Sequence, residues 1–304
     1  MSTVATTKKK KILVKDRHYR VMFLAPAIAA LVLFTIYPLL YSIKISLFKW
    51  NMTVPGSGDQ FIGLGNYINV LQDAEFWHAL WITVSFTFFS VIFCMIVGVA
   101  LAFLMFQNLK GANIVRTFVI AAMVIAPIIV GTAWRLMYNP GWGLINYFLS
   151  VIGISGNPFL AQSSTVLPAL IVVDVWQWSP LVMIIVLAAL QGLSPEVYES
   201  AEIDGASWWQ TFFHITLPLL KPALLLALLI RTMDAFRTFD TIYAMTGGGP
   251  GRSSENLNIL MYNTGFEFFK VSKTASMAVI SLIVITAICT FLVKLFQKNE
   301  GTVL

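Results

Sequence analysis

Long apolar runs separated by short polar segments constrain this chain more than any other feature. From Val21 to about Ile43, Trp77 to about Phe106, Thr117 to about Tyr138, Val166 to Leu190, Pro222 to about Met245 and Thr274 to Phe296 the sequence is mostly apolar. Each run reaches the roughly 20 residues that a helix needs to cross a hydrocarbon core about 30 Å thick. The backbone finds no water there, so segments of this length satisfy their N–H and C=O groups as helices. Six transmembrane helices in an all-α polytopic membrane protein are therefore expected. With 58% hydrophobic and 11% charged residues, the chain lies far from the composition of soluble domains.

Charge sets the orientation. The net charge of +6 would suggest a nucleic-acid partner in a soluble protein, but seven basic residues (Lys8 to Lys11, Lys15, Arg17, Arg20) lie in the first twenty positions. Beside an apolar run, such a cluster is read as contact with anionic lipid and as a cytoplasmic marker, not as a nucleic-acid site. The run after it is longer than the core of a signal peptide, so an uncleaved first span is expected. Segment 1–20 and the tail 299–304 are both expected in the cytoplasm. The segment from Trp142 to Thr165 carries no Lys or Arg and is read as external, whereas the turn containing Lys110 is read as internal. Cys94 and Cys289 lie inside apolar runs and are read as small hydrophobes.

One hydrophilic island interrupts the apolar pattern. Ser194 to Pro222 carries Glu196, Glu199, Glu202 and Asp204, four of only fourteen acidic residues. Ser194 and Pro195 form an N-cap and first-turn pair, so a short helix starts there. Gly205 bends the chain about three turns later, and Trp208 to Ile215 is read as a second short helix closed by Pro218 and Pro222. An amphipathic interfacial loop would share some of these features. The pattern Glu199, Ser200, Ala201, then Asp204, Gly205, Ala206, then Ile215, Leu217 and Pro218 resembles the EAA loop of binding-protein-dependent ABC importer permeases. In that family the consensus is E-A-A, three residues, G, nine residues, I-x-L-P. The spacing matches, with Ser200 in place of an Ala. The resemblance implies a type I permease fold and a coupling loop, here 194–222, docked on a cytoplasmic ATPase.

Polar residues inside the apolar runs mark a second region. Arg231 lies roughly 13 Å beyond Pro222 at 1.5 Å per residue, near the membrane midplane. Arg231, Asp234, Arg237, Thr238 and Thr241 share an arc of about 120° if the helix is continuous. Such residues face a bundle interior or an aqueous path, although i, i+3 pairing of Arg231 with Asp234 and of Arg237 with Asp240 is also open. The preceding span carries Asp174, Trp176, Gln177, Trp178 and a Pro180 kink. That set suits a polyhydroxylated ligand, or else an inter-helix polar contact beside an aromatic belt. The segments VWQWSP (175–180) and FDTIYAMTGGGP (239–250) are similar to the sugar-permease branch of the same family. Carried over position by position, the resemblance implies a substrate path at Asp174, Gln177, Trp178, Leu181, Asp234 and Thr238. Trp178 and Leu181 depart from the Asn, Gly or Tyr of some members.

No nucleotide site is read in the chain. Gly251-Arg252-Ser253 lacks the Lys of a P-loop, and the three histidines have no metal-ligand spacing. The expectation is a permease subunit in a bacterial cytoplasmic (inner) membrane, importing a sugar or sugar derivative, with no cofactor, metal or catalytic residue of its own. ATP and Mg would belong to a partner ATPase dimer. A second homologous permease and an extracytoplasmic solute-binding protein complete the partners. A self-sufficient secondary transporter or channel is the competing class. It predicts an inverted repeat or a discontinuous helix, neither of which is evident in the sequence, and gives the island no role.

Overall fold

The computed structural model describes residues 21, 23–107, 111–153 and 156–298. The basic segment 1–20, Lys110, Ser155 and the tail 299–304 lie outside the described residues. The chain forms two compact units, one from residues up to Val70 together with Thr264–Val279, the other from Leu71–Asn263 together with residues from Ile280 onward.

In the first unit, α1 (Phe23–Ser46) is an apolar helix with no buried residue along its most hydrophobic window. Its end is fixed by polar side chains. Asn66, on α2 (Gly65–Leu71), donates to the carbonyl oxygens of Ser46 at 2.8 Å and Phe48 at 2.7 Å. These carbonyls would otherwise be the orphan acceptors of a helix terminus. A two-residue antiparallel ladder pairs β1 (Phe48–Lys49) with β2 (Gln60–Phe61), in the register Phe48 to Phe61.

The second unit opens with α3 (Ala74–Phe106), where the Asp73 side chain accepts from the Glu75 N–H at 3.0 Å as an N-cap. It continues through α4 (Ala112–Val124), α5 (Pro127–Met137), α6 (Leu144–Val151) and α7 (Val166–Gln191). Then come α8 (Pro195–Ile203), α9 (Trp208–Leu219), α10 (Lys221–Phe236), α11 (Asp240–Thr246) and α12 (Leu257–Tyr262). The last helix, α13 (Val271–Lys298), begins in the first unit and ends in the second. The core lies on α7, whose Leu170, Val173, Val182, Met183 and Val186 are all 1% exposed or less. α3 approaches α7 closely at Gly98. A Cβ there would sit 2.5 Å from that of Val182 and 2.8 Å from the Ser179 carbonyl oxygen, so no larger residue fits at this spacing. Pro180 stays inside α7 without ending it.

Among the described residues, four helices are long and apolar enough to cross a membrane: α1, α3, α7 and α13. Up to six do so if each of two bent pairs counts as one span. This corrects two of the expected spans. The third is not one helix over Thr117–Tyr138 but α4 and α5, bent by 102°. Pro127 disfavours the helical conformation in the residue before it, and Ala126 is extended with ψ 133°. The fifth, expected from Pro222 to Met245, is interrupted from Arg237 to Phe239 between α10 and α11. Discontinuous helices are therefore present, and their supposed absence no longer counts against the competing class.

Candidate functional site

The Ser194–Pro222 island folds as two short helices with a fully specified junction. α8 starts at Pro195, as expected, although the Ser194 side chain makes no capping hydrogen bond. It ends in a Schellman motif: the Ala206 N–H donates to the Ala201 carbonyl oxygen at 2.9 Å and the Gly205 N–H to that of Glu202 at 3.0 Å. That closure needs a left-handed residue, and Gly205 has φ +73°. Two residues on, Ser207 and Gln210 form a capping box that starts α9.

α9 runs through Pro218 instead of stopping before it. A π turn over Phe212–Thr216 carries the chain past the proline, with the Leu217 N–H donating to the Phe212 carbonyl oxygen. Proline lacks an N–H and crowds the carbonyl four residues back, which a wider turn relieves. The bend comes one turn later, where α9 meets α10 at 66° beside Pro222.

The island's surface is apolar and ordered. Trp208 stacks on Phe212 at 5.4 Å and Trp209 on Phe213 at 6.0 Å, both i, i+4 pairs. Trp208, Trp209 and Phe213 are still 60%, 63% and 53% exposed, and Ile203 is 86% exposed. The four rings Trp208, Trp209, Phe212 and Phe213 contact one another and form an exposed aromatic cluster. Glu199, Ser200, Asp204, Gly205 and Pro218 are exposed; Ala206, Ile215 and Leu217 are half-buried and Ala201 is buried.

The intramembrane polar residues divide into two groups. Asp174 and Gln177 turn into the bundle, 4% and 0% exposed. One Asp174 carboxylate oxygen accepts from Arg231 Nη2 at 2.6 Å and from the Ser90 hydroxyl. Gln177 donates to the Ile125 carbonyl oxygen at 3.1 Å, filling an acceptor freed by the break between α4 and α5. Trp178 is half-buried and lies 5.5 Å from the Arg231 guanidinium, which takes up part of its surface. Leu181 is half-buried beside it along α7. Asp174 and Gln177, both expected on the substrate path, are thus hydrogen-bonded within the chain, while Gln177 Oε1 has no partner among the described residues.

The second group is open. Arg237 pairs with Asp234 at 3.1 Å, with side chains 70% and 35% exposed, and not with Asp240. The Arg231–Asp234 pairing is likewise replaced by Arg231–Asp174. The single continuous arc from Arg231 to Thr241 does not form, since the helix breaks at Arg237. Thr241 is buried on α11, facing the Pro127 carbonyl oxygen at 3.4 Å. Thr238 is half-buried beside the Asp234–Arg237 pair, and its own hydroxyl bonds the Asp234 carbonyl oxygen at 3.2 Å.

Sequence reasoning missed the side chains that make this break tolerable. Asn256 donates to the Thr238 carbonyl oxygen at 2.5 Å and Asn258 to that of Phe236 at 3.1 Å. Non-helical backbone at membrane depth requires such partners. Two asparagines in the stretch SSENLNIL, directly after a glycine-rich turn, were the available signal. Near them Arg252 bridges Glu75, at the start of α3, and Glu255. The hydrogen bonds that Arg252 donates to Glu75 and then to Glu255 push its guanidinium above its ordinary pKa.

Residues 94–299 match the family model described as "Binding-protein-dependent transport system inner membrane component". The chain belongs to this family. The match includes the island, both helix breaks and the polar residues of α7 and α10. Relatives of this transport component agree along most of its length. It is 39% identical over 242 residues to the trehalose/maltose transport system permease protein MalF of Thermococcus litoralis, covering 80% of this chain and 81% of that one. It is 34% identical over 281 residues to the trehalose transport system permease protein SugA of Mycobacterium tuberculosis, covering 92% and 89%. Among solved structures, a chain of a bacterial ABC transporter involved in the import of the acidic polysaccharide alginate shares its fold. The TM-score is 0.81 at 23% identity, covering 95% of this transport component and 98% of that chain.

Proposed function

We propose that this chain is the membrane-spanning permease subunit of an ATP-driven importer for a sugar or sugar derivative delivered by an extracytoplasmic binding protein. The observation that carries the proposal is the island: a Schellman turn and a capping box hold two short helices that present exposed stacked aromatics. That surface suits burial in a protein groove, and the family resemblance assigns the groove to an ATPase. Trehalose and maltose in the names of the relatives support the sugar class. ATP and Mg are then bound by the ATPase dimer, and a second homologous permease completes the membrane part. The membrane is the bacterial cytoplasmic (inner) one, with both termini and the island on the cytoplasmic side.

The substrate path is assigned to the open group, with Asp234 and Thr238 from the sequence reading and Arg237 and Asp240 added. A side-chain pair 70% and 35% exposed is too costly to leave against lipid and suits an aqueous path or the partner permease. Asp174 and Gln177 support this face from inside the bundle, while Trp178 and Leu181 pack beside them.

Purification of the chain with its cognate second permease, ATPase and binding protein, followed by reconstitution in liposomes, tests the proposal. Uptake of labelled trehalose or maltose that requires ATP and the binding protein is expected. Uptake by the chain alone, without an ATPase, would favour the secondary transporter or channel and refute it.

A further inference from the structure

The ion pair of Arg231 and Asp174, with side chains 1% and 5% exposed, is the most deeply buried pair of charges among the described residues. Asp174 lies on α7, the helix entering the island, and Arg231 on α10, the helix leaving it. Ser90, on α3, binds the same carboxylate oxygen, so three helices meet at one atom. Arg231 is 1% exposed. The island's two flanking helices are therefore joined twice, once through the island and once across the bundle.

The second joint matters because of the 66° bend between α9 and α10. A displacement of the island could be absorbed at that bend if α10 slid freely along α7. An ion pair sealed from water resists such sliding, because separation leaves two uncompensated buried charges. One turn beyond the pair on α10 lies Asp234, which holds Arg237 at the break before α11. One turn beyond it on α7 lies Gln177, which holds the Ile125 carbonyl at the break between α4 and α5. The pair thus lies one turn from a contact at each break.

We propose that Arg231 and Asp174 form a positioning clasp that transmits movement of the Ser194–Pro222 island to the polar face at Asp234 and Thr238. This rests on the island being the ATPase contact. Neither residue then needs to touch solute to govern transport.

The test needs no known substrate. In a Cys289→Ser chain, Thr238→Cys is labelled by a maleimide in the complete reconstituted complex, with and without vanadate trapping of ATP. The same chain without Thr238→Cys controls for Cys94, which is buried. A nucleotide-dependent change in labelling rate is expected. Arg231→Met and Asp174→Asn should shrink that change about 5-fold or more while assembly and ATP hydrolysis persist, a scale typical of coupling between sites. Arg231→Lys, which keeps the charge, should retain most of it.

A purely structural role predicts fewer assembled complexes, with the response per complex unaltered. An unaltered response per complex in both Arg231→Met and Asp174→Asn, or no response in the parent chain, would overturn the clasp. Gly205→Val separates the underlying reading. If it leaves ATPase co-purification and the response intact, the island is not the contact and the clasp falls with it. If it abolishes the response while both clasp variants keep it, the clasp alone is wrong.

Discussion

Removing one member of the Arg231–Asp174 pair should cost far more than removing both. Arg231→Met leaves the Asp174 carboxylate 5% exposed in its side chain, with the Ser90 hydroxyl as its remaining donor. Breaking a buried pair in this way costs about 3–5 kcal/mol, whereas replacing both partners by apolar residues of similar volume is close to neutral. Arg231→Met and Asp174→Leu should each fall in that range, and the double variant within ~1 kcal/mol of the parent. The cycle then yields a coupling energy of at least ~5 kcal/mol. This is well above the average of about 0.6 kcal/mol measured for ordinary interhelical hydrogen bonds in a membrane protein. Reversible unfolding in mixed micelles, followed by tryptophan fluorescence, supplies the four stabilities. A coupling energy below ~1 kcal/mol would refute the view that charge, and not simple packing, joins α7 to α10.

Three further outcomes follow from the geometry. At Gly205 no atom lies within 4 Å of an added Cβ, so the penalty is purely that of φ +73°. Gly205→Val should cost about 1–2 kcal/mol and release the ATPase on co-purification, Gly205→Asn should cost less, and equal behaviour of the two would contradict the Schellman argument. Gly98→Leu forces α3 away from α7 at Val182 and should lose at least ~1–3 kcal/mol of stability by the unfolding assay above; a stable, normally assembled Gly98→Leu chain would show that the close approach is dispensable. Single cysteines at the exposed Ser207 and Ser163 should label from opposite sides of the membrane, and labelling of both by an impermeant reagent added outside would invalidate the orientation.

Two local signals at the start and bend of the island agree with the structure. Ser194-Pro195 starts a helix, and Gly205 supplies the positive φ between α8 and α9. Pro127 was visible in the third run, but its consequence, a 102° bend, was not drawn from it. The break at Arg237–Phe239 had no such mark, because neither proline nor glycine lies there. It depends on amides donated by Asn256 and Asn258, about twenty residues away in the chain. Periodicity at 100° per residue presupposes an unbroken helix, so the arc drawn from Arg231 to Thr241 inherited that error. Which acid pairs with Arg231 was equally out of reach, since i, i+3 spacing offered Asp234 while the fold delivers Asp174 from another helix.

These differences have one physical origin. In a bilayer every exposed backbone group and every charge needs a partner, and the partners are recruited from whichever helix lies nearest in space. Polar residues in an apolar run therefore serve two different ends, and burial separates them. Gln177 and Asn256 are both 0% exposed and hold carbonyl oxygens at the two breaks. Asp234 and Arg237 pair with each other but stay open. The proposed path, built on helix breaks, needs both kinds, since the breaks expose polar surface while buried amides stabilise them. Asp174 is buried like these amides, and its partner Arg231 ties it to the helix that carries the open pair.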